Sequence, residues 1–208
     1  MAISAQDKIM YVANKLGLST LKDMQGSTGA IYDCDAEGNG VIFSNASQHN
    51  FPGTTNLSDN KFEVNEALLV ETIGFYGHSA STSPFQVTSN YIGLFGQNEV
   101  IVFDLVIGNK VVIKDTPVFA VGGPQCFSNY AVSTYASGPP PYAAGLVPRH
   151  QIYLEGAGIL IPPQVEFYIQ YKVFNIVTGD AITLTSGGNR RAAYLFGTKV
   201  NLNFNTTI

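Results

Sequence analysis

A chain of 208 residues, 45% apolar and only 12% charged, with a formal net charge of -4, can bury one substantial core but carries weak long-range electrostatics. No basic run is longer than Arg190-Arg191, which argues against tracking along phosphates and against direct sequence-specific binding to nucleic acid. The charged fraction lies well below the roughly 25% usual for a soluble domain, so much of the surface is expected to be hidden against copies or partners.

The opening MAISAQDKIMYVANKLG places Asp7 and Lys8 where a signal peptide needs an apolar run, and no later segment is an uninterrupted membrane span. It predicts a helix instead. Ser4 caps it, Asp7 completes a reciprocal box, Ile9, Val12, Ala13 and Leu16 form an apolar stripe, and Gly17 stops it. STLKDMQGSTG suggests one further turn, with Leu18, Leu21 and Met24 as contacts, before Gly26 and Gly29 release the chain. Residues 1–29 therefore read as a helical arm that either caps a sheet or reaches a neighbour, through Ile9, Val12 and Leu16.

From residue 30 to 208 the pattern is that of a single β domain. AIYDC and GVIFSN, separated by DAEGNG, predict a hairpin. In KFEVNEALLVETIGFYG, Phe62 and Val64 set one face of a strand, and the broken alternation suggests a bulge near Glu66 and Ala67. SASTSPFQVTSNYIGLFG reads as a loop and a short strand. Ile101, Phe103, Leu105 and Ile107 then face one way before Gly108 and Asn109 turn the chain into Val111 and Ile113, with Asp104 at an exposed edge or interface position.

Residues 122–148 change character: Gly and Pro abound, with a triple proline at 139–141 and interspersed tyrosines. A loop this long needs a task, as a subunit contact, a ligand loop or a cover over the barrel mouth. Its candidate contacts are Tyr130, Tyr135, Pro140 and Tyr142.

RHQIYLEGAGILI continues the strands, and Pro162-Pro163, unable to donate to a ladder, marks a strand end or a change of neighbour. Val165, Phe167, Ile169, Tyr171 and Val173 then share a packed face, opposite Gln164, Glu166, Tyr168, Gln170 and Lys172. AITLT follows, GGNRR reads as a tight hairpin turn, and in RAAYLFGTKVNLNFN the residues Tyr194, Phe196, Val200, Leu202 and Phe204 share parity. About eight strands predict two facing antiparallel sheets: an all-β sandwich, jelly-roll-like, behind a short helical arm.

Chemistry is sparse. His49, His78 and His150 stand in no nucleophile motif, and there is no H-x-H pair, HExxH or Cys/His cluster. DCDAEGNG resembles a calcium loop at Asp33, Asp35, Glu37 and Asn39 but lacks the terminal acid of the full pattern; a polar turn is the plainer reading, a weak cation site the other. Glu71, Asp104, Glu155 and Glu166 lie in strand-like segments where two might face each other as in a glycosidase, yet Trp is absent. Tyrosines can stack on sugars, which leaves a carbohydrate-binding module open. Cys34 and Cys126 are expected as buried structural thiols, or as a pair if the fold brings them together. No catalytic residue, metal or cofactor is expected.

The short arm, the β-rich body, the long Gly/Pro excursion and GILIPPQVEFYIQYKVF together resemble the jelly-roll capsid or minor virion proteins of icosahedral viruses, bacterial viruses above all, over most of residues 30–205. The resemblance implies a self-associating capsid or capsid-associated subunit (vertex, cement or spike base), without catalytic activity. Its partners would be copies of itself and other virion proteins, and its place the virion, assembled in the host cytoplasm. A low-charge, Asn/Thr/Tyr-rich surface fits, because it can be buried with little charge desolvation. The alternative is a carbohydrate-binding β-sandwich module or receptor-binding protein meeting a surface glycan.

Overall fold

The computed structural model describes residues 4–18, 24–35, 37–44, 46, 55–78, 99–117, 150–154, 158–175, 177–184 and 190–202. Helix α1 spans Ala5–Leu16. Ser4 Oγ accepts from the Asp7 N–H at 3.1 Å and donates to Asp7 Oδ2 at 2.6 Å, and Gly17 closes the helix in the left-handed region at φ 70°. The expected stripe does its packing within the chain: Val12 is buried against Ala67, Leu69 and Val200, with Leu16 and Met24 partly buried beside them, and Ala13 is buried as well. Of the two roles open to the arm, capping a sheet is the one seen. The arm is shorter than its expected reach, because strand β1 begins at Gln25 and takes in Gly26 and Gly29.

Ten strands follow among the described residues: β1 Gln25–Cys34, β2 Val41–Ile42, β3 Glu66–His78, β4 Glu99–Ile107, β5 Lys110–Pro117, β6 His150–Tyr153, β7 Ile159–Ile161, β8 Phe167–Asn175, β9 Ala181–Ile182 and β10 Arg190–Asn201. They form two five-stranded antiparallel sheets, a sandwich-like all-β arrangement. The first has the order β1-β10-β3-β6, with β7 also on β3; the second has β2-β8-β4-β5, with β9 also on β8. β6 pairs with Phe75–Thr72 and β7 with Val70–Leu68, so the two occupy one interrupted line along β3. β2 and β9 likewise share one flank of β8.

The core lies between the sheets. Ile31, Leu68, Val70, Ile73, Phe75, Ala193 and Leu195 face Ile42, Ile101, Phe103, Leu105, Phe167, Ile169, Tyr171 and Val173. Phe75 and Phe103 meet across the gap with ring centroids 4.8 Å apart. The alternation read from β4 and β8 thus gives the inward faces correctly, and the hairpin at Gly108-Asn109 joins β4 to β5 as expected.

Pro162 and Pro163 mark a change of sheet. β7 ends at Ile161 in the first sheet, Pro163 bridges to Phe62, and β8 starts at Phe167 in the second. Gln164, at φ 58°, donates from its backbone N–H (3.1 Å) and its Nε2 (2.9 Å) to the Phe62 carbonyl.

Several expectations need correction. AIYDC and GVIFSN do not form a hairpin: β1 pairs with β10, and β2 pairs with β8 in the other sheet. The turn between them is drawn inward by a buried carboxylate instead of being closed by a ladder. Phe62 and Val64 do not share a strand face; Phe62 is buried ahead of β3, and Val64 is 72% exposed.

The β3 bulge lies later than Glu66, where Phe196 opposes Thr72 but Gly197 opposes Val70, leaving Glu71 as the extra residue. Its cause is in the partner strand: a Cβ on Gly197 would stand 1.9 Å from the Leu69 carbonyl oxygen, so only glycine lets the bulged backbone approach. Asp104 lies on an inner strand, half-buried, and not at an edge. In β10 the face carrying Tyr194, Phe196 and Val200 is the outer one, under α1 at Val200; Ala193 and Leu195 fill the core. Residues 79–96, expected as a loop and a short strand, and residues 187–189 lie outside the described residues, and β9 and β10, which flank the expected GGNRR turn, belong to different sheets.

Candidate functional site

Three features could carry function: the buried acidic turn, the outer face of the first sheet, and a cavity at one end of the sandwich. In the acidic turn, Asp33 and Asp35 are buried. Asp35 Oδ1 accepts from the N–H groups of Gly38 (2.7 Å) and Asn39 (3.1 Å), and Oδ2 from Gly40 N–H (2.9 Å) and the Tyr171 hydroxyl (2.7 Å). Asp33 Oδ2 accepts from Phe43 N–H at 2.7 Å. Both oxygens of Asp35 are thus engaged by the chain's own donors, and Glu37 turns away to Asn39 Nδ2 at 2.6 Å. The arrangement satisfies buried backbone donors and ties β1 to β8 across the sandwich; it is built as a structural turn.

The four strand-borne acids are not brought together. Glu71 lies on the outer face of the first sheet, where its carboxylate takes Lys8 Nζ of α1 at 2.7 Å and the Thr198 hydroxyl at 2.8 Å. Asp104 lies on the outer face of the second sheet and accepts from Asp115 N–H at 2.6 Å, and Glu166 is exposed just before β8. Glu155 falls outside the described residues, as do His49 and Cys126; Cys34 is buried. The backbones of His78 and His150 lie on adjacent strands but out of register, since His150 pairs with Phe75.

On the outer face of the first sheet, α1 covers one end. Ile9 rests against Gly26, where an added Cβ would meet its Cδ1 at 3.0 Å, and Val12 is 0% exposed. Beyond the helix, Tyr32 pairs with Tyr194, the Tyr194 ring lies over Gly74, and Phe196 is 39% exposed. The sequence exposed the parity of these aromatics but not which side of the sheet it named. Of the interface residues expected from sequence, Ile9, Val12 and Leu16 cluster here; Tyr130, Tyr135, Pro140 and Tyr142 lie outside the described residues.

The cavity, of about 180 Å³, opens beside β1 and is lined by Gly29, Ile31, Leu57, Phe62, Leu68 and Lys199 among others. Lys199 is held by Glu66 at 2.9 Å. Its lining was not legible from sequence, because it joins β1, β3 and β10 to residues 56–63, which pattern alone leaves as loop. Among the described residues there is no cluster of three or more potential metal ligands, and no helix is long and apolar enough to cross a membrane. No family model, curated protein or solved structure matches this chain.

Proposed function

We propose that this protein is a structural virion component: a jelly-roll subunit that associates with copies of itself and with other virion proteins as a capsid, vertex, cement or spike-base element, without catalytic activity. The observation that supports this best is strand order. Counting β6 and β7 as one interrupted strand, and setting β9 aside as an addition to β8, leaves eight strands that pair first with last and then inward: β1 with β10, β2 with β8, β3 with the β6/β7 line, β4 with β5. The folded-over pairs join through β10–β3 and β8–β4. A long antiparallel ribbon rolled in this way is the jelly-roll plan, which occurs in capsid, lectin and cupin proteins. Fold alone does not choose among these. The low charge favours assembly, because subunit faces can close without stranding buried charges.

One observation favours a second reading. Tyr32, Tyr194 and Phe196 gather on one open sheet face, the kind of platform on which a sugar ring could stack. A carbohydrate-binding or receptor-binding module would use that face.

The deciding experiment is light scattering of the purified chain over a concentration series, with electron microscopy of every large species. Rings, trimers, pentamers or closed shells are the expected outcome. A strict monomer that gains mass on no condition but binds glycans, with binding lost in Phe196→Ala, would replace the virion reading by the second.

A further inference from the structure

Each sheet ends in two edges, and an edge strand presents backbone donors and acceptors that can template another chain unless something blocks them. Three of the four edges here are blocked. β5 carries Lys110 and Lys114, a bulged Asp115 at φ 46° and a closing Pro117. The β6/β7 edge is broken between Tyr153 and Ile159 and is followed by Pro162-Pro163. β2 and β9 are two residues each.

The fourth edge, β1, differs along its length. Its second half is shielded by Asn56: Tyr32 N–H donates to Asn56 Oδ1 at 2.8 Å, Asn56 N–H to the Tyr32 carbonyl at 3.2 Å, and Asn56 Nδ2 to the Ala30 carbonyl at 2.7 Å. These bonds fix which residues point outward. Because antiparallel ladders alternate, the even-numbered residues Gly26 and Thr28 also turn N–H and C=O away from β10. No described residue bonds to those groups. The first half, Gln25–Gly29, reads QGSTG: uncharged, without proline, in unbroken register with β10, and exposed at Gln25, Ser27 and Thr28.

We infer that the Gln25–Gly29 edge pairs with the same edge of a second copy, antiparallel about a two-fold axis at Ser27. In that register Gly26 of one copy exchanges bonds with Thr28 of the other and the reverse, giving about four hydrogen bonds and joining the two first sheets into one. A neutral segment suits a copy of itself, since no charge meets its like across the axis. The inference rests on the self-association proposed above and names one of the surfaces that would perform it, the two-fold one.

The test uses the full chain and two variants. Thr28→Pro removes an outward N–H while leaving the β1–β10 ladder intact. It is expected to keep the parent melting temperature and to raise the dimer dissociation constant by about tenfold or more, measured by sedimentation equilibrium. Ser27→Cys places two thiols at a non-hydrogen-bonded pair, where Cα atoms stand about 4.5 Å apart, within disulfide reach. It should cross-link to a covalent dimer under mild oxidation, faster than Val177→Cys and above the parent's own background. If Thr28→Pro fails to fold, the cross-link decides. A monomer at every concentration, or a dimer indifferent to both changes, overturns the inference. Large assemblies that persist in Thr28→Pro would remove this edge but keep the virion reading; Ser27-linked dimers that never grow further would do the opposite.

Discussion

Phe43, Asp115 and Gln164 sit at positive φ (75°, 46° and 58°) although none is glycine. Such conformations cost roughly 1–3 kcal/mol each and persist only where neighbours over-determine them. Each of the three donates its backbone N–H to a fixed acceptor: Asp33 Oδ2, Asp104 Oδ1 and the Phe62 carbonyl respectively. The acceptors differ in burial, and the consequences of losing them should differ too. Asp33→Ala strands a buried N–H and is expected to cost about 2–4 kcal/mol in urea denaturation, whereas Asp104→Ala leaves the Asp115 N–H to water and should cost less than about 1 kcal/mol. Gly197→Ala must push the bulge away from Leu69 and should destabilise by about 3 kcal/mol or more, read as a fall in the denaturation midpoint at unchanged slope.

At the scale of elements, α1 shows what sequence can specify by itself. Cap, stripe and terminal glycine lie within one short helix and are where the pattern placed them, while the Asp7 carboxylate takes the Ser4 hydroxyl where a reciprocal box would have it take the Ser4 N–H. Strand β8 was legible for a similar reason: its outer Gln170 and Lys172 are wet, so alternation names the core side, and β4 was legible from Ile101, Phe103 and Leu105 although none of its described outer residues is fully exposed. β10 is covered on both sides, by the core at Leu195 and by α1 at Val200, so its alternation could not say which aromatics point inward. Pairing partners were the least legible feature. DAEGNG has hairpin composition, yet Asp35 uses its glycines to carry the chain into the other sheet, and its partner Tyr171 stands far along the sequence. Of the candidate surfaces, Ile9, Val12 and Leu16 could be read from the stripe; the β1 edge could not, because Gly26 and Gly29 suit the release of a helix as well as they suit a strand. Val12→Asp should detach α1 from Ala67, Leu69 and Val200 while the sandwich stays folded. The check is loss of helical circular dichroism with a retained main thermal transition, and loss of both signals together would show that the helix is integral to the core.

At the scale of the whole molecule, the first strand lies beside the last. β10 runs between β1 and β3, in the middle of the first sheet, so that sheet has no continuous ladder until the final strand is in place. Folding governed by such distant pairings belongs to the slow range for single domains, milliseconds to seconds. The same neighbourhood has a mechanical meaning. Gln25, where β1 begins, faces Asn201, where β10 ends. A force applied between these two points enters the ladder at one end and loads its hydrogen bonds one after another, as a zip is opened, and not all at once, as in shear. The β1–β10 ladder would resist tension along its strands far better than tension between Gln25 and Asn201, and a tether to this sheet would hold best if anchored elsewhere.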